Sequence, residues 1–242
     1  MTASSRNMVR LLTSTSVARN ATQTICNEPV RNNSNMMYAI GIAFSVGSAL
    51  FVLQRFAVKI LAVNLEIGLD DWIILLAAVV QAPAVALICE PGIANGLGRD
   101  IWTLKPQQIT NFGYYLYVFT AIYFTNLAIV KLAFLFFYLR VFPRPIVRRL
   151  LWSTIITVMV WGVVFLFVSV FQCRPISYYW TRWDDEHKGS CVNPSAVAWA
   201  NGAISIALDV WMIGIPLSQL QGLNLDWKKK VGVGAMFCVG LL

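Results

Sequence analysis

The chain has 242 residues, of which 58% are hydrophobic and only 12% are charged, and its formal net charge is +8. Soluble domains carry about 25% charged residues, so this composition excludes an ordinary water-soluble fold. The basic residues are divided among short loops and form no single patch. This distribution argues against nucleic acid as a partner and favours a membrane protein whose positive loops face the cytosol.

The N-terminal segment, residues 1–35, is polar. It is rich in Ser, Thr and Asn and lacks the apolar stretch of a signal peptide. Its sequons at Asn20 and Asn32 suit an external position, although bare matches to this motif are frequent. We interpret residues 1–35 as a polar extracellular tail, either disordered or the remnant of a larger module.

Six apolar runs follow the tail. They are Met36–Leu53, Trp72–Ala94, Phe112–Tyr138, Leu150–Phe171, Val197–Leu217 and Val231–Leu242. A helix needs about 20 mostly apolar residues to cross ~30 Å of hydrocarbon, and the first five runs satisfy this requirement. The sixth has only 12 residues before the sequence ends at Leu242. The pattern predicts an all-α, polytopic transmembrane helix bundle over residues 36–242, with six runs of a seven-helix domain and an incomplete C-terminus.

The junctions between the runs predict the orientation in the membrane. Nine basic residues follow runs one, three and five, against five after runs two and four. The nine are Arg55, Lys59, Arg140, Arg144, Arg148, Arg149, Lys228, Lys229 and Lys230. Four arginines in the tail also raise the external total to nine, but charges far from a span weigh less than charges in short loops. We expect the nine-residue set to be cytosolic and the N-terminus to be extracellular.

Two cysteines agree with this orientation. Cys173 and Cys191 bracket the loop after run four, which faces outward when the N-terminus is outside. Disulfides form in oxidising compartments, so we predict that these two are bridged. Cys89 and Cys238 lie within apolar runs and are expected to remain free thiols.

Two charged residues lie within the apolar runs. Lys131 is nine residues before Arg140, about 13 Å along a helix, and Asp209 has a similar depth in run five. A charge near the centre of a spanning helix costs about 2.5–3.5 kcal/mol, so both should face protein or a wet cavity. One interpretation is that Lys131 and Asp209 pair directly or through water. In the other, Lys131 extends alone to the inner interface and Asp209 is protonated.

Other polar residues in the runs have simpler interpretations. Asn126 and Asn201 lie on the same two helices as the charged residues, and interhelical hydrogen bonds are the favoured explanation. Asp70 and Asp71 precede run two, where carboxylates suit the positive end of a helix dipole, and they could also meet the basic inner loops.

The outer loops offer little chemistry. Gly92, Gly96 and Gly98 allow a tight reversal after run two, and no strand or Lys-Ser/Thr pair accompanies them to form a phosphate-binding loop. The segment FQCRPISYYWTRWDDEHKGSC contains four aromatic residues beyond the end of run four, namely Tyr178, Tyr179, Trp180 and Trp183. They could pack within the loop, form an aromatic belt at the membrane interface, or line the mouth of a pocket. The single histidine, His187, does not complete a zinc site. We expect no catalytic residue, metal site or cofactor, and no enzyme activity.

Several motifs together resemble the fungal rhodopsin-domain integral membrane proteins, which include the satratoxin-cluster membrane protein family. The motifs are DDW, GLGRDIWTL, KLAFLFFYLRVF, FQC-R-P…W…C-V-N and N-G-A…D…P-L, the last containing Asn201, Asp209 and Pro216. The resemblance covers Met36 to Leu242. In addition, ICNEPVRNNS resembles the end of the cysteine-rich CFEM module that precedes the membrane domain in one receptor-like branch, with Cys26 remaining from its cysteines.

The resemblance implies a receptor-like protein with seven helices that senses an extracellular ligand and couples to a G protein through its basic inner loops. Arg140 lies where animal receptors carry an acidic-Arg-aromatic switch, but the acidic member is absent. The resemblance does not imply a retinal pigment. The lysine that binds retinal in such pigments lies in the last helix, whereas Lys131 lies in the third apolar run. The alternative function is a transporter or a membrane accessory protein of a secondary-metabolite pathway. The plasma membrane is the expected location.

Overall fold

The computed structural model describes residues 31–62, 68–183 and 187–221, and this part of the chain is an all-α bundle. Five of its helices are long and apolar enough to cross a membrane. They are α1 (Ser34–Ala57), α2 (Leu69–Leu87), α3 (Pro106–Val141), α4 (Pro145–Val170) and α6 (Pro194–Gln221). The loop between α4 and α6 contains the short helix α5 (Tyr178–Thr181) and two paired strands, β1 (Cys173–Arg174) and β2 (Ser190–Cys191). The predicted fold class is therefore confirmed.

The helices extend beyond the apolar runs that predicted them. Pro106 and Pro145 occupy the first turns of α3 and α4, where the missing amide proton of proline costs nothing. At its inner end α1 continues as a π-helical segment, Val58–Ala62, and α2 continues outward as another, Ile88–Gly92. The sixth run, Val231–Leu242, lies outside the described residues.

The helices pack mainly against their neighbours in sequence, and α3 makes the most extensive contacts, with α2 and α4. Leu135, Leu151 and Val158 are completely buried between α3 and α4. A Cβ atom at Gly162 would lie 2.6 Å from the Ala128 Cβ, so these two helices approach closely where both residues are small. Small residues at such contacts are typical of membrane helix packing.

The outward faces of the bundle are apolar. Trp199 is 81% exposed, Val210 64% and Phe167 58%. Soluble monomers rarely expose contiguous apolar patches larger than a few hundred Å². These exposed apolar faces are therefore suited to contact with lipid.

A tight reversal fixes the outer end of α1. Gly96 and Gly98 adopt positive φ values of 105° and 80°, as the predicted turn requires. The Asn33 amide donates to the Gly98 carbonyl at 2.9 Å, and Ser34 Oγ donates to the Leu97 carbonyl at 2.8 Å. The start of α1 is thus attached to the loop that follows α2.

Candidate functional site

An ion pair joins α3 to α6 inside the bundle. Lys131 Nζ contacts Asp209 Oδ1 and also donates to the Ser205 carbonyl at 3.3 Å. The ammonium lies 5.7 Å from the centre of the Trp161 ring on α4. The Lys131 side chain is only 6% exposed, whereas that of Asp209 is 44% exposed. The structure thus brings the two intramembrane charges together, and Lys131 does not extend alone to the inner interface.

Amide side chains provide a second polar contact at this level. Asn126 Nδ2 donates to Gln81 Oε1 on α2 at 2.8 Å, which is the kind of interhelical hydrogen bond expected for Asn126. Its Oδ1 has no partner among the described residues, and neither has Oδ1 of Asn201, which is buried on α6. Sequence reasoning missed Gln81, although an amide in an otherwise apolar run is the same signal that identified Asn126.

A cavity of about 680 Å³ lies between α1, α2, α3 and α6 in the described part of the chain. Its wall is mostly apolar, with Phe44, Val52, Ile74 and Phe134 among the lining residues. Its polar lining residues are Ser45, Ser48, Arg55, Gln81, Asn126, Tyr138 and Asp209. The two serines donate to carbonyls one turn earlier on α1, so the amides and the carboxylate remain the main polar groups. This arrangement suits a largely apolar molecule with one or two polar groups.

Below the cavity, five charged side chains form what we call the inner ion cluster: Arg55, Lys59, Asp70, Asp71 and Arg140. The cluster joins the inner ends of α1, α2 and α3, and the ring of Phe137 on α3 lies 6.0 Å from the Arg55 guanidinium. Both aspartates are buried, and the Gly68 amide donates to Asp71 Oδ2 at 2.9 Å. Asp70 and Asp71 lie in the first turn of α2, as the helix-dipole interpretation expects, and they also meet basic residues, which are Arg55 of α1 and Lys59 of its π-helical extension.

The other predicted cytosolic basic residues lie at the same end of the bundle. Arg144 is exposed between α3 and α4, and its Nη1 donates to Gln219 Oε1 at 3.4 Å. Arg148 and Arg149 are exposed in the first turns of α4. Lys228, Lys229 and Lys230 lie outside the described residues. The described basic residues present a positive surface next to the inner ion cluster.

At the opposite end, the loop between α4 and α6 is closed by the predicted disulfide. Cys173 and Cys191 are bridged, and they are also paired across β1 and β2. Cys89 is free, as expected, and Cys238 lies outside the described residues. Because the bridge closes within one loop, it does not attach the loop to α3.

The aromatic residues of this loop pack against the outer turns of α3, as in the loop-packing interpretation. Trp180 contacts the ring of Tyr114 with centroids 5.3 Å apart, and Tyr179 contacts Tyr117 at 5.4 Å. A Cβ atom at Gly113 would lie 3.1 Å from the Trp180 Cα, so glycine allows this close approach. Burial raises the pKa of the Tyr179 phenol above its ordinary value.

The described residues contain no group of three or more His, Cys, Asp or Glu side chains arranged to hold a metal ion. The features that remain as a candidate site are the cavity, the Lys131–Asp209 pair and the inner ion cluster. Together they extend from the middle of the bundle to the end that carries the basic residues.

Three curated relatives are similar to this chain. A SAT4 family membrane protein of Emericella nidulans is 25% identical over 70% of this chain and 46% of its own length. The polyenoic acids biosynthesis gene cluster protein Ba17b of Metarhizium anisopliae is 24% identical, with coverages of 72% and 48%. The satratoxin biosynthesis SC1 cluster protein 4 of Stachybotrys chartarum is 29% identical, with coverages of 49% and 44%.

The chain spans about half the length of these relatives, with coverages of 46%, 48% and 44%. No solved structure matches it. The fungal rhodopsin domain, however, matches residues 54–242, which is most of the chain. A bundle of membrane-length helices with that match identifies the chain as a member of the fungal rhodopsin-domain family of membrane proteins.

Proposed function

We propose that this chain forms the helical part of a receptor-like membrane protein that senses a small, largely apolar ligand arriving from the extracellular side. The observation that carries the proposal is the cavity whose wall contains Asp209, which is paired with Lys131. A ligand that contacts Asp209 would compete with Lys131 for this carboxylate and so weaken the ion pair between α3 and α6. A ligand can shift a conformational equilibrium only by binding two states differently, and this ion pair provides such a difference.

The inner face supplies the second half of the proposal. Arg144, Arg148 and Arg149 are exposed beside the inner ion cluster, and their charge complements an acidic cytosolic partner such as a G protein. The proposal has the N-terminus outside and the basic face in the cytosol, at the plasma membrane, in keeping with the rule that basic loops stay in the cytosol. The disulfide supports this orientation, because Cys173 and Cys191 lie at the end opposite to the basic face.

Ligand binding can be tested directly with the full gene product in lipid nanodiscs. The probes are medium-chain alcohols and carboxylic acids, and the measurement is a saturable rise in melting temperature. Ala82→Phe should abolish the rise, because Ala82 lines the cavity and the larger ring would fill it. Ala86→Phe is the matched control, since Ala86 is exposed one turn further along α2 and does not line the cavity. Equal responses of both variants would refute the cavity as a ligand site.

Signalling requires a separate assay. Nucleotide exchange on a purified fungal heterotrimeric G protein should rise in the presence of the reconstituted receptor and a stabilising probe. Replacement of Arg148 and Arg149 by glutamine should reduce this exchange without changing probe binding, because both side chains are exposed and distant from the cavity. If the probe binds but nucleotide exchange does not change, the protein binds a ligand without signalling, and the receptor proposal is contradicted.

The names of two relatives favour one alternative, a transporter or membrane accessory protein of a secondary-metabolite pathway. By name, one relative belongs to a polyenoic acids biosynthesis gene cluster and the other to the satratoxin biosynthesis SC1 cluster. A cavity for a largely apolar molecule is compatible with that role as well. Accumulation of a probe acid inside sealed proteoliposomes, blocked by Ala82→Phe, would favour transport over signalling.

A further inference from the structure

The Lys131–Asp209 pair presents its acidic member to the cavity. Asp209 lines the cavity wall, whereas Lys131 is not among the described residues that do so. The Lys131 side chain is almost fully buried, and that of Asp209 is nearly half exposed. The ammonium is taken up by the Asp209 carboxylate and the Ser205 carbonyl, and it lies over the Trp161 ring. A molecule in the cavity therefore meets a carboxylate and not an ammonium.

One oxygen of this carboxylate is available to a ligand. Lys131 Nζ contacts Oδ1, and no described residue donates a hydrogen bond to Oδ2. The amides in the cavity wall are already bonded to each other, since Asn126 donates to Gln81 Oε1 at 2.8 Å. A carboxylate oxygen can only accept hydrogen bonds, so the group that meets Asp209 Oδ2 must be a donor.

Charge balance favours a neutral donor over an ammonium. Lys131 already neutralises Asp209, so a second cation would bring an uncompensated charge out of water. The inner ion cluster adds to this effect, because its three basic side chains outnumber its two acidic ones.

An anion is a poorer ligand for a different reason. It would place negative oxygens against Asp209 Oδ2 without a hydrogen to donate. Arg55 also lines the cavity, but its Nη2 and Nε already donate to Asp70 at 2.6 Å and to Asp71 at 2.9 Å. Those two buried carboxylates would repel a third anion at the same guanidinium.

We propose that the ligand of this cavity is an uncharged, largely apolar alcohol whose hydroxyl donates to Asp209 Oδ2. The proposal rests on the proposed function, since it specifies the ligand of the same cavity. A hydroxyl adds one donor and no charge, and the rest of the molecule can pack against apolar lining residues such as Phe44, Ile74 and Phe134. Because the hydroxyl shares the carboxylate with Lys131, its binding weakens the link between α3 and α6.

The test compares probes of similar length with the full gene product in lipid nanodiscs at neutral pH. Nonanol is the alcohol, and methyl octyl ether is its isomer without a hydroxyl hydrogen. Octanesulfonate is the anion and protonated nonylamine is the cation. Each probe is titrated by its mole fraction in the lipid, and the half-saturation point of the rise in melting temperature is measured. The response of Ala82→Phe is subtracted, because that substitution fills the cavity.

Nonanol should bind about tenfold more tightly than methyl octyl ether, because the ether cannot donate a hydrogen bond to the charged oxygen. Octanesulfonate and nonylamine should also bind more weakly than nonanol. In the double variant Lys131→Gln with Asp209→Asn, the preference for nonanol over the ether should fall to about threefold or less, since the charged acceptor is gone.

Binding of the ether, the anion or the cation as tightly as nonanol would overturn this proposal and leave the cavity as a ligand site. If no probe gives a response that depends on the cavity, the proposed function is refuted and this proposal with it. The comparison of nonanol with its ether isomer uses the unaltered chain, so it decides the proposal even if the double variant does not fold.

Discussion

The Lys131–Asp209 pair gives a prediction whose size follows from the structure. Removing one member of a buried ion pair costs about 3–5 kcal/mol, because the remaining charge is uncompensated. Asp209→Asn would leave an ammonium that is 6% exposed, with only the Ser205 carbonyl and the Trp161 ring as partners. We expect this variant to lose about 3 kcal/mol, at the low end of that range, since those partners remain.

Lys131→Gln should cost less. The carboxylate of Asp209 is 44% exposed and therefore depends less on its partner than the buried ammonium does, so we expect a loss of about 2 kcal/mol. The double variant contains neither charge and should lose about 2 kcal/mol as well. The loss in the double variant should therefore be about 3 kcal/mol smaller than the sum of the two single losses. A difference of this kind is expected for residues in direct contact.

The free energies of unfolding can be measured by titration with sodium dodecyl sulfate in mixed micelles, followed by far-ultraviolet circular dichroism. Arg144→Gln is the control, because an exposed residue with one long hydrogen bond should change stability by less than about 0.5 kcal/mol. Additive losses in the double variant, or single losses no larger than that of the control, would refute a stabilising ion pair.

Three further variants and one control variant test other contacts. Cys191→Ser should lower the unfolding free energy by about 3 kcal/mol by opening the disulfide loop, and a wild-type melting temperature unaffected by reductant would contradict this. Gly162→Ala should lower the melting temperature, because its Cβ would lie 2.6 Å from that of Ala128, whereas Gly214→Ala, with open space around it, should be neutral or stabilising. Asn126→Ala should cost only about 0.6 kcal/mol, the average for interhelical hydrogen bonds in membranes, and a loss several times larger would indicate a wider polar network.

The spanning helices could be predicted from the sequence because uninterrupted apolar stretches of this length have few other stable structures. Their ends were harder to place. Apolar composition stops at Phe112, but α3 begins at Pro106, since a helix that leaves the membrane can continue with polar residues. Depth along the helices was also informative, and it placed Lys131 and Asp209 near enough to each other to suggest the pair.

The inner ion cluster was not predicted as a unit. The charge pattern places Arg55 and Lys59 in the junction after run one, whereas α1 and its π-helical extension carry both residues to the aspartates. A signal existed in the sequence, because two basic residues four apart end one span and two acidic residues begin the next. Which basic residue lies nearest to which carboxylate depends on distances of a few ångströms, and no sequence pattern specifies these.

The length of α3 has a mechanical consequence. Its 36 residues form a rod of about 54 Å, with neither glycine nor proline after Gly113. It approaches α4 closely at Ala128, about 33 Å from its outer end and about 20 Å from its inner end. A tilt about that fulcrum swings the two ends in opposite directions, and the inner end travels roughly six tenths as far. A displacement of the aromatic loop at one end of α3 would thus reach Arg140 near the other end at roughly six tenths of its size.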